Sequence, residues 1–175
     1  MKDNPIDKHA NKPRTEIRRM DYVLTDEAEI KKILRSGDYG VLASAHQDQP
    51  YATPVNYVYI EEDHALYFHG AHTGRTRANM AINSKVCFNV SEMGELETGE
   101  RSSNFGVKYR SVTVFGTAEK VTDEDKHLEI LLALMAKYFP DHTPGKDYPI
   151  PEADERKRTA VFKIAIEDWS AKEQK

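Results

Sequence analysis

Residues 66–77 form the densest group of potential ligand-binding side chains, with two glycines, two threonines, two histidines and two arginines. Small residues let a backbone approach a ligand closely. The helix predicted to begin here offers unpaired N–H groups and a partial positive charge. The guanidinium groups of Arg75 and Arg77 match the geometry of phosphate oxygens. The stretch therefore predicts a phosphate pocket, but a solvated, capped helix start uses similar residues and stays open as the alternative.

Other common signatures of chemistry are missing from the sequence. It contains no G-x-x-x-x-G-K-[ST] phosphate loop, no G-x-G-x-x-G dinucleotide fingerprint, and neither of the hydrolase patterns G-x-S-x-G and H-E-x-x-H. His69 and His72 lie three positions apart, but no carboxylate stands at a companion spacing, so we predict no metal site. Cys87 stands between Val86 and Phe88 in a predicted strand, which favours a structural thiol over a nucleophile.

The composition is that of one soluble, folded domain of 175 residues. Hydrophobic residues make up 39% and charged residues 31% of the chain, and the mean hydropathy is −0.70. That apolar content is too high for general disorder. The formal net charge of −4 argues against a protein that coats nucleic acid, because that task usually needs a basic surface. The single cysteine excludes an intramolecular disulfide and any multi-cysteine metal site.

The sequence predicts neither secretion nor insertion into a membrane. Its first residues lack the apolar segment of a secretory signal. The longest uninterrupted apolar run, residues 130–136, is far shorter than the roughly 20 residues that span a bilayer. We therefore expect a cytoplasmic protein with no membrane partner.

Residues 1–20 form a basic N-terminal arm ahead of a domain predicted to cover residues 21–175. The arm takes its positive charge from Lys8, Lys12, Arg14, Arg18 and Arg19. Because no aromatic residue that could stack on a base lies inside it, an arm that drapes over the domain or a partner subunit is favoured over a nucleic-acid arm.

Helices and strands around residues 66–77 must position the candidate ligand-binding groups. Thr25 is predicted to cap a helix that ends near Gly37. A second helix is predicted within residues 70–84, and Thr122 is predicted to cap a third that runs to Phe139. The apolar face of this third helix is predicted to comprise Leu128, Leu131, Leu132, Met135 and Tyr138.

Six segments show the alternating or continuous apolar pattern of strands. Pro54 predicts an edge strand or a bulge, and Gly116 predicts a bulge. Residues 91–107 and 140–158 are predicted loops. Strands joined by hairpins, with two to three helices set apart from them, predict an α+β, mainly β fold built on an antiparallel barrel. The predicted strands cover residues 40–45, 52–60, 66–69, 86–90, 109–121 and 159–169.

From Tyr22 to Lys172, the chain resembles the FMN-binding split β-barrel of the pyridoxamine 5′-phosphate oxidase superfamily. The branch of the nitroimidazole-resistance proteins and their flavin-binding relatives is the most similar. The resemblance implies an antiparallel split barrel with peripheral helices and a homodimer that holds FMN at the subunit interface. The segments that carry it are residues 40–44, 52–57, 66–71, 83–88 and 109–116.

The same resemblance implies a set of site residues. The superfamily's Ser-x-Lys falls on Thr73, Gly74 and Arg75, which keep a hydroxyl and a cation. His69 falls beside the flavin and is the implied catalytic residue, and residues 169–172 resemble the family's C-terminal segment near the ligand. The implied cofactor-binding residues are Pro54, Val55, Asn56, Tyr57, His69, Gly70, Ala71, Thr73, Arg75, Thr76, Arg110 and Ser111.

The implied function is that of an FMN-dependent oxidoreductase, a reductase or an oxidase, that acts on a small and possibly nitroaromatic molecule. Oxidation of pyridoxamine phosphate is disfavoured, because the sequence shows no separate cluster suited to a second phosphate. Three alternatives stay open: a heme-binding split barrel, a deazaflavin-dependent relative, and a flavin binder or sensor without enzymatic activity.

Overall fold

A computed structural model describes residues 10–174, which fold as an antiparallel split barrel of the α+β class. Its seven strands form one sheet in the order β2-β1-β5-β6-β7-β4-β3, and every neighbouring pair is antiparallel. The predicted fold class is confirmed, with one strand more than expected. The strands are β1 (Gly40–His46), β2 (Gln49–Val55), β3 (Tyr57–Ile60), β4 (Ala65–Gly70), β5 (Lys85–Glu97), β6 (Gly106–Lys120) and β7 (Ala160–Gln174).

The additional strand arises because the predicted strand at residues 52–60 is two strands. The strand is interrupted at Asn56. As a result, β2 pairs with β1 while β3 pairs with β4 at the other edge of the sheet. Pro54 has no N–H to donate, and its strand is the edge strand that a proline predicts. The break places the end of β2 beside the end of β4, where the candidate site forms.

Four α-helices between residues 20 and 174 accompany the sheet, and both predicted threonine caps are wrong. Asp26 accepts hydrogen bonds from the backbone N–H groups of Ala28 and Glu29 at 2.9 and 3.3 Å. Asp123 accepts one from the N–H group of Lys126 at 2.7 Å. In both places an aspartate directly follows the threonine, and its carboxylate is an equally good cap. The helices are α1 (Glu27–Ser36), α2 (Arg75–Ile82), α3 (Glu124–Tyr138) and α4 (Ala153–Arg156).

The buried face of α3 also differs from the prediction. His127, Ile130 and Leu134 are its buried residues, whereas the predicted stripe from Leu128 to Tyr138 is only half-buried. The apolar residues of α3 are spread over much of its circumference, so the sequence offers two neighbouring apolar faces with helical spacing. In the structure, the face that contains His127 packs on the sheet.

The predicted loop at residues 91–107 is shorter in the structure, because its two ends belong to the strands of a long hairpin and only residues 98–105 join them. Strand β5 continues to Glu97 and β6 begins at Gly106, with pairs such as Met93 with Tyr109 and Leu96 with Val107. Glycine and glutamate disfavour strands, but pairing with an adjacent strand overrides that preference here. The predicted irregularity at Gly116 is confirmed by a shift in the pairing of β6 with β7.

Within residues 10–174, two apolar clusters stabilise the fold. The larger one fills the barrel and includes Leu42, Phe88 and Ile164. The smaller one lies where α3 packs on the sheet and includes Tyr67 and Ile130. Both result from the alternation that directs every second side chain of a strand to one face.

The described part of the basic arm, residues 10–20, lies against its own domain. Arg14 donates hydrogen bonds to Glu167 and Asp168 at 3.0 and 2.9 Å, and its guanidinium carbon lies 5.2 Å from the centre of the Phe115 ring. Ile17 is buried. Residues 1–9 of the predicted arm lie outside the described residues, and the domain boundary at residue 20 stays a prediction. No helix within residues 10–174 is long and apolar enough to cross a membrane.

Candidate functional site

A cavity of about 270 Å³ opens where the ends of β2 and β4 meet the beginning of α2. It contains seven of the residues that the sequence predicted: Val55, His69, Gly70, Ala71, Thr73, Arg75 and Thr76. The cavity's other lining residues are Tyr51, Thr53, Phe68, Gly74, Arg77, Met80 and Phe162.

The beginning of α2 points unpaired donors at this cavity. Gly74 is the N-cap, and its carbonyl accepts the first helical hydrogen bond from the N–H group of Ala78 at 2.9 Å. No side chain caps the helix, so the N–H groups of Arg75, Thr76 and Arg77 have no acceptor within it. Gly74 has a φ of +116°, a conformation that side chains rarely adopt. The loop can therefore turn into the helix with no side chain at the N-cap position.

Two arginines add positive charge to the same helix end. The guanidinium carbon of Arg75 lies 5.5 Å from the centre of the Tyr51 ring, and that of Arg77 lies 5.8 Å from the centre of the Phe162 ring. Within residues 10–174, neither guanidinium forms a salt bridge with a carboxylate. The aromatic contacts hold the cations in place, and their N–H groups stay available to an anion.

A buried polar contact fixes α2 on the barrel. Asn79 is buried, and its side-chain amide donates a hydrogen bond to the hydroxyl of Ser44 at 3.1 Å. Ser44 lies on β1, next to the strand that carries Tyr51. Met80, the next residue of α2, is buried against the larger apolar cluster. These contacts fix the position of the helix relative to β1 and β2, and they thereby fix the orientation of the free N–H groups at its beginning.

His69 lies at the end of β4 with its side chain exposed at the cavity. Strand alternation points His69 away from Phe68, which is buried and stacks on Phe162 with ring centres 5.2 Å apart. Tyr67, on the same face as His69, is buried, so His69 is exposed because it lies at the end of the strand. The His69 ring forms no hydrogen bond with any residue between 10 and 174. It is therefore free to bind a group that enters the cavity.

A second cavity of about 560 Å³ continues from the first one past Arg75. The two cavities share Tyr51, Gly74 and Arg75, and the second adds polar side chains that include His46 and Asn79. His46, in the first hairpin, therefore lies near the beginning of α2.

Comparison with protein families identifies the chain. The sequence profile described as pyridoxamine 5′-phosphate oxidase matches residues 26–173. This chain belongs to the pyridoxamine 5′-phosphate oxidase family. The match confirms the resemblance on which the sequence predictions rest. A comparison with curated proteins finds no match.

Solved structures share the fold of this family member at low sequence identity. A flavocytochrome from Azotobacter vinelandii has a TM-score of 0.78 at 24% identity, covering 94% of this chain and 75% of that one. A candidate 5-nitroimidazole antibiotic resistance protein from Bacteroides thetaiotaomicron has a TM-score of 0.71 at 20% identity, covering 86% and 85%. An FAD-binding protein from Mesorhizobium loti has a TM-score of 0.61 at 26% identity, covering 86% and 96%.

Three predicted residues of this pyridoxamine 5′-phosphate oxidase family member lie beside the cavity without lining it. Pro54 and Asn56 are exposed on the opposite face of the β2 end from Thr53 and Val55. Tyr57 is buried, and its hydroxyl donates to the carbonyl of Leu34 at 2.8 Å. Its backbone N–H and carbonyl groups both bind the hydroxyl of Tyr138, at 3.0 and 3.2 Å. Tyr57 therefore uses its polar groups to hold the strand break in place.

Arg110 and Ser111 do not line the cavity within one chain. Both lie on β6, where the Arg110 guanidinium contacts Glu92 at 2.6 Å and Glu29 at 3.5 Å. Arg110 lines a different cavity, of about 300 Å³, together with Met93. Their approach to the cofactor of a partner subunit stays a prediction.

The predicted set of cofactor-binding residues omitted several residues that line the cavity. Some of these could have been predicted from the sequence. Tyr51, Thr53 and Val55 alternate along β2 and share its half-buried face, so the inclusion of Val55 predicts the other two. Phe162 has no such signal, because it enters from β7, which pairs with β4 from far along the chain.

Proposed function

We propose that this chain binds FMN and acts as a flavin-dependent oxidoreductase on a small molecule. The observation that carries the proposal is the start of α2, where unpaired backbone N–H groups, Arg75 and Arg77 converge on one cavity. A phosphate group accepts hydrogen bonds from such donors. The FAD-binding relative at 26% identity supports a flavin as the molecule that carries this phosphate.

The residues of the cavity fit the two ends of such a molecule. Thr73, Arg75 and Thr76 provide a hydroxyl, a cation and an N–H group for the phosphate. Val55 and Phe68 provide apolar surface against which a planar ring can pack. When bound, the flavin supplies the electron transfer. The protein's own contribution is to orient the cofactor, exclude water from one side of it and admit the substrate on the other.

His69 is the group that we propose to meet the substrate. Its ring is exposed at the cavity and engages none of the described residues. An imidazole can donate a hydrogen bond to an electron acceptor or exchange a proton with it near neutral pH. A nitroaromatic acceptor suits this role, because its oxygens accept hydrogen bonds.

We propose a homodimer in which the partner completes each cofactor site. The β5–β6 hairpin carries Met93, Leu96 and Phe105, whose exposed fractions are 73%, 67% and 60%. Exposed apolar side chains grouped in this way mark interaction surfaces, and a two-fold copy is the commonest partner. In that dimer, Arg110 and Ser111 would approach the partner's cofactor.

The absorbance spectrum and mass of the ligand that copurifies with the protein test the proposal directly. A flavin spectrum with the mass of FMN is the expected result. A Soret band would identify the ligand as heme instead of a flavin, and the mass of a deazaflavin or of FAD would identify a cofactor other than FMN. A protein that binds no added FMN would overturn the proposal. Steady-state oxidation of NADH or NADPH by the holoprotein then separates an enzyme from a sensor. The cytoplasm, which is reducing, is the compartment that we propose for this reaction.

A further inference from the structure

A further cavity, of about 240 Å³, lies on the other side of the β4–α2 loop from the flavin site, and we call it the basic cavity. It shares no lining residue with the flavin cavity. His72 lines it, although its neighbours Ala71 and Thr73 line the flavin cavity. The side chains that carry the argument are His72, Lys120, Glu124, His127, Arg156 and Lys157.

The charge of this lining is positive in a chain whose formal net charge is −4. Lys120, Arg156 and Lys157 contribute three cations, and Glu124 contributes one carboxylate. Asp154, outside the lining, contacts the Lys157 ammonium at 2.9 Å, so the net charge of these groups is one positive with both histidines neutral and two positive when His127 is protonated. Glu124 lies 3.6 Å from Arg156, so it offsets only part of this charge. A small concave site with two excess positive charges favours a dianion.

His127 provides a buried polar atom that no described group satisfies. The residue is only 8% exposed. Its Nε2 lies 2.8 Å from the carbonyl oxygen of Thr159, and a carbonyl accepts only, so Nε2 carries the hydrogen. Its Nδ1 is buried and has no hydrogen-bond partner within residues 10–174. An adjacent anion would favour the protonated ring, in which Nδ1 also donates.

Arg156 provides a second unsatisfied atom in the same cavity. Its Nη1 donates to the carbonyl of Pro151 at 3.5 Å, and its Nη2 faces Glu124. Its Nε is buried without an acceptor among the described residues. Buried donors without an acceptor are rare in folded proteins. Arg156 Nε therefore indicates a missing ligand with an acceptor oxygen, and such a ligand can also accept from His127 Nδ1 when that ring is protonated.

We propose that the basic cavity binds a phosphate dianion, either inorganic phosphate or the phosphate group of a small monoester. The dianion matches the two excess positive charges, and its oxygens can accept from Arg156 Nε and from a protonated His127 at once. His72 adds a second imidazole, whose Nε2 is held 2.9 Å from the carbonyl of Lys157. A bound water would satisfy the donors but would leave the charge uncompensated.

The test is a titration of the FMN-saturated protein with inorganic phosphate at pH 7.5, followed by NMR of the histidine ring nitrogens, with chloride at equal ionic strength as the reference. We expect a saturable shift of the His127 and His72 signals with phosphate and none with chloride. Glycerol phosphate serves as the monoester probe, and the tighter of the two ligands identifies the source of the phosphate group. If neither gives a saturable shift, the proposal is wrong.

Variants locate the binding site. Arg156→Gln should weaken phosphate binding at least tenfold, whereas Arg158→Gln, two residues along and outside the cavity, should leave it unchanged. Lys120→Gln provides a second test on an exposed side chain if Arg156→Gln does not fold. Arg75→Gln, with FMN kept saturating, should leave this titration unchanged, because Arg75 belongs to the flavin cavity. Equal phosphate affinity in wild type, Arg156→Gln and Lys120→Gln would overturn the assignment, whatever the outcome at the flavin site.

Discussion

The guanidinium carbon of Arg75 lies 5.5 Å from the centre of the Tyr51 ring. Tyr51 belongs to the edge strand β2, and Arg75 is the first residue of α2. The contact ties a cation to the barrel at the point where the helix exposes its unpaired N–H groups. Because a cation–π contact does not use the N–H donors of the guanidinium, this cation is held in place and still able to bind a phosphate.

Arg75→Gln should therefore weaken FMN binding by about ten- to a hundredfold, since a charge-assisted hydrogen bond contributes roughly 1.5–3 kcal/mol. Quenching of flavin fluorescence on titration measures the dissociation constant. Riboflavin, which has no phosphate, should bind the wild type weakly and should distinguish little between wild type and variant.

Arg19→Gln is the matched control for this experiment, because the Arg19 guanidinium carbon also lies over a tyrosine ring, 4.1 Å from the centre of Tyr22. Its FMN affinity should equal that of the wild type. His46 is unsuitable as a control, since it lines the cavity that adjoins Arg75. Equal FMN affinity in Arg75→Gln and Arg19→Gln would place the phosphate elsewhere than at Thr73 to Arg77.

His69→Ala should leave the fold and most of the FMN affinity intact while it changes turnover or the reduction kinetics of the flavin. The side chain is exposed and outside both apolar clusters, so its removal creates no core cavity. Stopped-flow reduction by NADH and NADPH, with thermal unfolding of the same samples, measures both effects. His142→Ala, which removes an exposed histidine far along the chain, is the control. If the reduction kinetics are unaltered with every donor, His69 has no role in the mechanism.

The helix start at the proposed phosphate end of the site could be predicted from the sequence because its determinants are local. Gly74, Arg75 and Thr76 are adjacent, and a helix start is a property of a few residues. The apolar wall could not be predicted in the same way, since Phe162 reaches the site only through the pairing of β4 with β7. The strand break at Asn56 was missed for a similar reason, because β2 and β3 find different partners that no local pattern specifies.

Substituting Leu96→Ser together with Phe105→Ser should shift the proposed dimer toward monomer. Both side chains are exposed on the β5–β6 hairpin, so the substitutions remove apolar surface from the proposed interface with little effect on either core cluster. Light scattering across a concentration series measures the mass. Ile150→Ser, which changes an exposed apolar residue outside the hairpin, should behave as the wild type. A wild-type holoprotein of 20 kDa at all concentrations would exclude the dimer itself.

Tyr138→Phe should lower the free energy of unfolding by about 1–3 kcal/mol, the cost of leaving a buried polar group without its partner. The Tyr138 hydroxyl accepts from the N–H group of Tyr57 and donates to its carbonyl, so both backbone groups lose their partner at the strand break. Urea unfolding measures the change. Tyr39→Phe, at a position that is 58% exposed, should alter it by less than about 0.5 kcal/mol. If both variants lose the same free energy of unfolding, the effect comes from removal of a hydroxyl as such and not from the two hydrogen bonds of Tyr138 to Tyr57.

Lys137 should make the stability of the protein rise with pH above neutrality. Burial lowers the pKa of its amine to about 8, against the ordinary lysine value of 10.5, and the negative charge of Asp38 offsets part of this effect. The amine lies 3.8 Å from the centre of the Tyr57 ring and has no hydrogen-bond partner among residues 10–174. Between about pH 8 and pH 10.5 the unfolded chain keeps a proton that the folded chain has released, so the free energy of unfolding increases with pH in this window.

Lys137→Met isolates this contribution, because methionine keeps an unbranched apolar chain and cannot titrate. Burial also raises the pKa of Tyr57 and of Tyr138, which lowers stability above about pH 10, but this effect is present in both proteins. The difference in unfolding free energy between wild type and variant should therefore be constant below about pH 7 and should move in favour of the wild type from about pH 8 upward. Urea unfolding at pH 6, 7, 8, 9 and 10 measures it. Two curves that stay parallel to pH 10 would show that the folded protein holds the Lys137 proton as tightly as the unfolded chain does.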